Sequence, residues 1–212
     1  MSFIHRKRTK NGFIYDTITE KDKDRIKSLR IPPQWENVLI STNSSEKIQA
    51  TGLDSKGRKQ YIYHPKWIML SKKYKFDNMN KFCHKKYSAL INKYIALNDM
   101  SKGWMICNML KMMEDLNIRV GNEVYLHENN SVGLTTLMKK HLNTQGDKML
   151  LSFRGKKGVR HDKEIKDPVS MNFIRKILGH PGSFLFTHDK KCVTSNDLNR
   201  FLKDKFNGIT CK

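Results

Sequence analysis

Apolar residues follow two different spacings along the chain, and the change between them falls near residue 73. Before that point, short runs of β-branched and aromatic residues alternate with turns, and Asn11-Gly12 is a strong signal for a two-residue hairpin. We predict strands at 3–8, 12–16, 37–41, 47–53 and 59–64. A short helix that begins after Thr19, a candidate N-cap, interrupts these strands. The first third of the chain therefore predicts a small antiparallel sheet.

After residue 76 the apolar positions take helical spacing. We predict helices at 77–98, 101–116, 168–178 and 195–206. Between the second and the third of these, residues 149–165 contain two extended stretches around Gly155 and Gly158, which indicates a β-hairpin. The tip of this hairpin carries two neighbouring lysines, Lys156 and Lys157.

Together these patterns predict an α+β fold with two domains. Residues 1–73 form a small β-rich domain, and residues 74–212 form a mainly α-helical domain that carries the hairpin. The boundary is placed in a loop at 71–76, where strand spacing gives way to helix spacing. At 212 residues the chain is long enough to bury a core in one larger domain or in two small ones.

The charge balance is strongly basic, because 41 Lys and Arg residues stand against 20 acids and give a formal net charge of +21. This excess implies a polyanionic partner, and nucleic acid is the first candidate. No stretch approaches the roughly 20 continuous apolar residues of a membrane-spanning helix. The N-terminus lacks the pattern of a signal peptide. We therefore expect a soluble, intracellular protein that is neither secreted nor bound to a membrane.

The cysteines Cys83, Cys107, Cys192 and Cys211 stand far apart without a C-x-x-C pair. This spacing favours reduced thiols over a zinc knuckle or a disulfide framework. Cys83 beside His84 is the nearest approach to a metal pair, but adjacent residues on a helix point to different sides. We predict no metal ion.

Cations and aromatic rings are interleaved at 52–67. A solvated turn would need the charge but not the rings, and a buried strand would need the rings but not the charge. A partner that is both anionic and flat-faced, such as nucleic acid, would use both. The structural alternative is that Tyr61 and Tyr63, two positions apart, simply share one face of a strand.

Three segments, 50–67, 117–141 and 153–161, occur in that order along the chain. Together they closely resemble the small type IB DNA topoisomerases of poxviruses, other large DNA viruses and bacteria. The resemblance implies a C-shaped clamp around duplex DNA, made of an N-terminal β module and a mainly helical catalytic domain. It also implies that supercoils are relaxed by cutting one strand through a 3′-phosphotyrosyl intermediate, without metal, ATP or another cofactor.

The resemblance assigns catalytic roles to Arg119 and Lys156. Attack at phosphorus builds negative charge on the non-bridging oxygens, which a guanidinium can hold through two parallel hydrogen bonds, and Arg119 matches that arginine. The departing 5′ oxygen needs a proton, and Lys156 matches the hairpin lysine that supplies it. An ion pair between Arg119 and Glu123 is the structural alternative for the arginine. Lys157 is the alternative to Lys156.

Other positions match residues that bind DNA in this family. In the β module these are Arg58, Lys59, Gln60, Tyr61 and Tyr63. Tyr125 matches a tyrosine near the DNA major groove, Lys157 lies at the hairpin tip, and residues 133–137 match a scaffold for the active site. Asn122 and Val124 stand where poxviral members tend to carry lysines, which argues against a strict poxvirus-like target preference.

The later catalytic residues of the family have no match in the chain: a second arginine in a K-x-x-R motif, a histidine or lysine, and the nucleophilic tyrosine. Lys212 aligns with the lysine that opens K-x-x-R. None of the seven tyrosines matches the nucleophile. We therefore expect an N-terminal fragment that binds DNA and is inactive alone, because no attacking oxygen is present.

Three other functions are alternatives on sequence grounds. A non-catalytic DNA-binding protein derived from this fold would need the clamp but not the chemistry. An RNA-binding protein would account for the charge but not for the ordered motifs, and a tyrosine recombinase would lack the β module.

Under the favoured hypothesis the protein is a monomer located with DNA, in a virion or viral factory if viral and in the cytoplasm or nucleoid if bacterial.

Overall fold

The computed structural model describes residues 2–16, 18–80, 82–206 and 209–211. The chain divides into two compact units, Met1–Asn80 and Lys81–Lys212. The first unit is built on an antiparallel sheet, and the second is built mainly on helices with smaller sheets. The predicted α+β fold is therefore confirmed.

The first unit contains a five-stranded antiparallel sheet and two helices among its described residues. Its elements are β1 (Phe3–Thr9), β2 (Gly12–Tyr15), α1 (Glu20–Ser28), β3 (Glu36–Ser41), β4 (Ile48–Leu53), β5 (Lys59–Tyr63) and α2 (Pro65–Asn80). The strands lie in the order β2-β1-β3-β4-β5, so that β2 and β5 are the edges. The buried core comprises Ile4, Ile26, Val38, Ile40 and Ala50. Because Ile26 belongs to α1, this helix covers one face of the sheet.

Local signals in the first unit are confirmed. β1 and β2 pair as a hairpin across Asn11-Gly12, and Gly12 has a φ of 132° that suits glycine. Thr19 is the N-cap of α1: its hydroxyl accepts a hydrogen bond from the Asp22 N–H, and the Asp22 carboxylate accepts one from the Thr19 N–H. The strands predicted at 37–41, 47–53 and 59–64 correspond to β3, β4 and β5.

Two predictions at the end of the first unit are wrong. The loop placed at 71–76 lies inside α2, which runs from Pro65 to Asn80. The single helix placed at 77–98 is two helices, because α2 ends at Asn80 and the next helix begins at His84. None of the residues of α2 is buried, so its apolar side chains do not repeat at the spacing of a packed helix face. The sequence feature that indicated the start of this helix was Pro65, since proline suits the first position of a helix.

The second unit is built around a buried helix. Its elements are α3 (His84–Leu97), α4 (Lys102–Asp115), α5 (Glu123–Asn129), β6 (Leu142–Gln145), β7 (Lys148–Arg154), β8 (Arg160–Ile165), α6 (Pro168–Ile177), β9 (Thr187–His188), β10 (Lys191–Cys192) and α7 (Ser195–Lys205). Residues 104–110 of α4 are all buried, and α3, α6 and α7 pack against this helix. The rings of Phe173 and Phe186 stack 5.9 Å apart in the same core. Strands β6, β7 and β8 form a separate antiparallel sheet.

Most predicted elements of the second unit are confirmed. The helices placed at 101–116, 168–178 and 195–206 correspond to α4, α6 and α7, and the hairpin at 149–165 corresponds to β7 and β8. α5, β6 and the β9–β10 pair were not predicted, because each is too short for its period to be read. Lys212, which the resemblance aligns with the K-x-x-R motif, lies outside the described residues.

The described residues form no cluster of three His, Cys, Asp or Glu side chains that could hold a metal ion. All four cysteines are unpaired. Cys83 is the N-cap of α3, whereas the neighbouring His84 places its Nε2 atom 2.9 Å from Glu114 Oε1. Over the described part of the chain, no helix is both long and apolar enough to cross a membrane.

Candidate functional site

The residues of the first unit that match DNA-binding positions lie on or beside β5, an edge strand. Lys59, Tyr61 and Tyr63 alternate with Ile62 and therefore share one face of the strand. The two tyrosine rings stack with centroids 6.0 Å apart, and Lys59 Nζ lies 5.7 Å from the Tyr61 ring centroid. Ile62 packs into the core from the opposite face. The tyrosines do share a face, as the structural alternative requires, but it is the outer face of the sheet.

Arg58 and Gln60 are held by one carboxylate. Arg58 Nη2 lies 2.7 Å from Asp54 Oδ2, and Gln60 Nε2 donates to the same oxygen at 3.0 Å. Asp54 Oδ1 accepts hydrogen bonds from the backbone N–H groups of Lys56 and Arg58. The hydrogen bond from the Arg58 side chain is the main reason that the pKa of Asp54 falls to about 2. Asp54 was not among the predicted site residues, although an acid four residues before an arginine across a turn was a usable signal.

Asp54 is expected to titrate well below an ordinary aspartate. Because its pKa is depressed in the folded chain, its carboxylate contributes stability above the usual value of 3.8, and this contribution is lost as the pH falls toward 2. Arg58→Gln removes the strongest donor, so the pKa of Asp54 should rise toward 3.8. An NMR titration of the side-chain carboxyl carbons measures this change. Arg8→Gln removes the same charge from β1 and serves as the control, and an equal pKa of Asp54 in both variants would contradict the assignment.

Arg119 lies in a loop between α4 and α5 that is fixed through its backbone. The Arg119 carbonyl accepts a hydrogen bond from the Leu134 N–H at 2.8 Å. The next carbonyl, of Val120, accepts from both the N–H and the hydroxyl of Thr135. The Arg119 side chain is exposed, and among the described residues no ion pair joins it to Glu123. The main chain is therefore anchored while the guanidinium remains available to a ligand.

Residues 133–137, the segment matched to an active-site scaffold, are buried and approach the Arg119 loop closely. A Cβ atom added at Gly133 would lie 2.5 Å from Gly121 Cα and 2.7 Å from the Arg119 carbonyl oxygen. Both are backbone atoms, so we expect Gly133→Ala to lower the free energy of unfolding by about 1–3 kcal/mol. In Gly179→Ala, the control, the added Cβ meets nothing within 4 Å. Urea denaturation measures the difference, and matching midpoints for the two variants would refute the tight approach.

Lys156 and Lys157 are both exposed at the tip of the β7–β8 hairpin. The Gly155 N–H donates to the Val159 carbonyl at 2.8 Å and closes the turn. Lys157 has a φ of 63° and a ψ of 21°, a left-handed conformation that is uncommon for a residue other than glycine. Lys156 shows no positive φ. The two lysines thus differ in backbone conformation, although both side chains face solvent.

An aromatic stack lies beside this turn. His161 on β8 stands opposite Phe153 on β7, and their rings stack with centroids 5.1 Å apart. His161 Nε2 would lie 2.6 Å from a Cβ atom added at Gly155, so the imidazole packs directly against this glycine. His161 was not among the predicted site residues, although it is the last residue of the segment 153–161 and pairs with Phe153, the first residue of that segment.

The Arg119 loop and the Lys156 hairpin are joined through one short stretch of backbone. The Leu134 N–H donates to the Arg119 carbonyl, and two residues earlier the Val132 N–H donates to the Arg154 carbonyl at 2.9 Å. Arg154 is the last residue of β7, two positions before Lys156. The structure thus brings the segments that carry both catalytic candidates into one hydrogen-bonded framework.

Tyr125 lies on α5, and 57% of its surface is exposed. The side chain of Asn122, the N-cap of this helix, accepts a hydrogen bond from the Val124 N–H at 2.8 Å. Asn130 ends the helix in a left-handed conformation. Asn122 therefore caps a short helix that presents Tyr125 to solvent.

Two family models match the chain. A family model described as eukaryotic DNA topoisomerase I, catalytic core, matches residues 59–212, and a model described as bacterial DNA topoisomerase IB, N-terminal domain, matches residues 15–54. The first match begins at β5 and continues through the second unit. These two matches place the chain in the class of DNA topoisomerase I catalytic cores, with part of an N-terminal domain.

Individual relatives show which kind of DNA topoisomerase I the chain resembles. DNA topoisomerase 1B of Acanthamoeba polyphaga mimivirus is 34% identical over 96% of this chain and 66% of its own length. DNA topoisomerase 1B of vaccinia virus (strain Copenhagen) is 29% identical over 65% of this chain and 46% of its own length. DNA topoisomerase 1 of rabbit fibroma virus is 26% identical over 76% and 54%, respectively. The chain belongs to the type IB DNA topoisomerase family, as the sequence predicted, and its matches cover at most about two-thirds of these relatives.

Proposed function

We propose that these 212 residues form the DNA-binding portion and part of the catalytic site of a type IB DNA topoisomerase. The whole enzyme cuts one strand of a duplex through a 3′-phosphotyrosyl intermediate, lets the duplex swivel and reseals the strand. The net charge of +21 and the outer face of β5 support duplex DNA as the partner. We further propose that the protein acts as a monomer and is located with DNA.

The observation that carries the proposal is the backbone framework between the Arg119 loop and the Lys156 hairpin. Phosphoryl transfer needs charged groups that are positioned before the reaction, because they then need no reorganisation as charge develops. In this framework the main chain is anchored and the two charged side chains are exposed to a bound strand. That combination suits a site that must hold and then release a macromolecular substrate.

Arg119 acts on the charge that develops during cleavage. As a tyrosine oxygen approaches phosphorus, negative charge grows on the two non-bridging oxygens. The guanidinium of Arg119 donates two parallel hydrogen bonds to them, and this interaction is stronger in the transition state than in the ground state. The anchored Arg119 carbonyl fixes the point from which the side chain reaches the phosphate.

Lys156 acts on the leaving group. As the bond from the tyrosine oxygen to phosphorus forms, the bond from phosphorus to the 5′ oxygen breaks, and that oxygen leaves with the electron pair. The Lys156 ammonium transfers a proton to it, because an alkoxide is a poor leaving group. In resealing, the neutral amine takes the proton back from the 5′ hydroxyl while that oxygen attacks phosphorus and the tyrosine departs.

We assign the nucleophile to none of the seven tyrosines in this chain. Tyr87 is buried, and burial raises its pKa, which disfavours the attacking phenolate. Tyr94 packs edge-on against Phe201. Tyr61 and Tyr63 stack on each other in the first unit. Without an attacking oxygen the two catalytic candidates cannot form a covalent bond to DNA, so these residues alone bind a duplex without cutting it.

Relaxation of supercoiled plasmid, without metal or ATP, tests the proposal. The 212-residue chain is compared with a longer protein that contains it and extends to the end of the reading frame. We expect the longer protein alone to relax the plasmid. Relaxation by the 212-residue chain would mean that one of its own tyrosines is the nucleophile. Binding without relaxation by either protein would favour a non-catalytic DNA-binding protein built on the same fold.

Binding of the 212-residue chain to a fluorescent DNA duplex tests the role of β5. Affinity should fall steeply as salt rises, since phosphate contacts release counterions. Tyr61→Leu should weaken binding several-fold, because it removes a ring that stacks beside Lys59 on the outer face. Tyr74→Leu on α2, which is also an exposed tyrosine of the first unit, is the matched control. Equal losses of duplex affinity in both variants, or an affinity that does not change with salt concentration, would contradict the assignment.

A further inference from the structure

A basic cleft of about 630 Å³ lies in the second unit, between the end of α5, the turn at 139–141 and the neck of the β7–β8 hairpin. The side chains with nitrogen donors that line it are His127, Asn130, Lys140, His141, Arg154 and Arg160. Among the described residues, no aspartate or glutamate lines the cleft. Neither Arg119 nor Lys156 lines it, although Val132 and Arg154, whose backbone hydrogen bond helps to join the segments of those two residues, do.

Two arginines face each other directly across the neck of the hairpin. Arg154 on β7 is the register partner of Arg160 on β8. Like charges at directly opposite positions of an antiparallel pair are destabilising. Asp162 relieves only one of them: its Oδ2 accepts from Arg160 Nε at 2.9 Å, and its Oδ1 accepts from the Ser152 hydroxyl. The pairing leaves the charge of Arg154 uncompensated, which favours an anion beside it.

Lys140 adds a second uncompensated charge from another segment. In the described part of the chain, neither Lys140 nor Arg154 lies within ion-pair distance of a carboxylate. The neighbouring imidazole is a donor, because His141 Nδ1 accepts from the Met138 N–H at 3.0 Å and Nε2 then carries the hydrogen of the neutral ring. Burial, followed by the charge of Lys140, lowers the pKa of His141, which favours the neutral ring.

We propose that this cleft binds a phosphoryl group other than the one that reacts. The donors come from three segments, which suits the tetrahedral array of oxygens of a phosphate. A planar carboxylate would be satisfied by the fork of a single arginine. The phosphoryl group has two possible sources, the backbone of bound DNA away from the cleavage site or a free polyphosphate. In both cases Arg154 and Lys140 supply the charge that holds it.

Isothermal titration of the 212-residue protein with inorganic pyrophosphate at low ionic strength tests the site without DNA. We expect one pyrophosphate to bind per chain, and we expect the double variant Lys140→Gln/Arg154→Gln to weaken binding at least tenfold. Both side chains are exposed, so the variant should fold, and circular dichroism checks this. Arg200→Gln/Lys203→Gln on the exposed face of α7 removes the same charge and should change binding less than twofold.

Duplex binding by the same variants distinguishes the two sources. We call Lys140→Gln/Arg154→Gln the cleft variant and Arg200→Gln/Lys203→Gln the α7 variant. If the source is DNA, the slope of log affinity against log salt should be shallower for the cleft variant, by about 0.9 for each phosphate that the protein no longer neutralises. Pyrophosphate should then also compete with the duplex. If the source is a free polyphosphate, the duplex should bind the cleft variant and the α7 variant equally well.

The proposal is overturned if the wild-type protein binds pyrophosphate no more tightly than the cleft variant. It is also overturned if the α7 variant loses as much affinity, since the effect would then be one of net charge. The pyrophosphate titration contains no DNA, so its result does not depend on the proposed topoisomerase function. Failure of that function would appear as a loss of duplex binding or relaxation by the wild-type protein, with the pyrophosphate site unchanged.

Discussion

Arg119→Ala, in a longer protein that includes the nucleophilic tyrosine, is expected to slow DNA cleavage by about 10²–10³-fold, the range observed when one preorganised donor to a developing oxyanion is removed. The effect should be confined to the chemical step. The Arg119 side chain is exposed and makes no ion pair with another described residue, so we expect its removal to leave the fold intact. Single-turnover cleavage of a radiolabelled duplex at saturating protein measures the rate directly.

The shape of the guanidinium provides a second test of the same role. Arg119→Lys keeps the charge but cannot donate two parallel hydrogen bonds, so it should remain well below the wild-type rate. Arg200→Ala, which removes an exposed arginine from α7, is the matched control and should cleave like the wild type. Duplex affinity should change little in all three variants. A rate for Arg119→Lys equal to that of the wild type would show that charge alone is needed, and a loss of affinity that matches the loss of rate would assign Arg119 to binding.

Much of the fold could be predicted because its signals are local. The hairpin between β1 and β2 depends on Asn11-Gly12, and α1 depends on a capping box that begins at Thr19. These residues act within four positions of one another, so the sequence contains the whole interaction. The shared face of Tyr61 and Tyr63 could also be predicted, since alternation along a strand decides which side chains lie together, but the sequence did not show that this is the outer face.

Other elements could not be predicted because their stability does not come from a local apolar pattern. α2 buries none of its residues, so the spacing of apolar residues predicted a loop at 71–76. That range lies inside the helix, which begins at Pro65. α5 spans only seven residues, and the caps Asn122 and Asn130 define it better than any period does. Helix caps and a proline at the first helical position were therefore better evidence here than hydrophobic spacing.

The candidate site shows the same limit at longer range. The sequence singled out Arg119 and Lys156 through a resemblance in ordered motifs, which says nothing about how their segments are connected in space. That connection depends on two backbone hydrogen bonds, from the Leu134 N–H to the Arg119 carbonyl and from the Val132 N–H to the Arg154 carbonyl. Both bonds join groups that are far apart in sequence. The cross-strand pair Arg154 and Arg160 was equally invisible, because it depends on the register of the hairpin.

Lys156→Ala in the longer protein is expected to slow cleavage of an ordinary strand by about 10²–10⁴-fold, the typical contribution of a general acid. The 5′ oxygen would then leave without the positioned proton donor. Lys157→Ala is the matched control, since both lysines are exposed at the same hairpin tip and differ in backbone conformation. Single-turnover cleavage of one labelled duplex by both variants decides which lysine is the acid. A large loss in Lys157→Ala with little change in Lys156→Ala would reverse the assignment.

A substrate with sulfur in place of the 5′ bridging oxygen separates proton transfer from other effects of the lysine. A thiol has a pKa of about 8.5, so the thiolate leaves readily without a proton. Lys156→Ala should therefore cleave this substrate at a rate close to that of the wild type, whereas Arg119→Ala should remain slow, because charge still develops on the non-bridging oxygens. If sulfur fails to rescue Lys156→Ala, the lysine contributes by binding or positioning the strand. Rescue of Lys156→Ala but not of Arg119→Ala would assign the departing proton to Lys156.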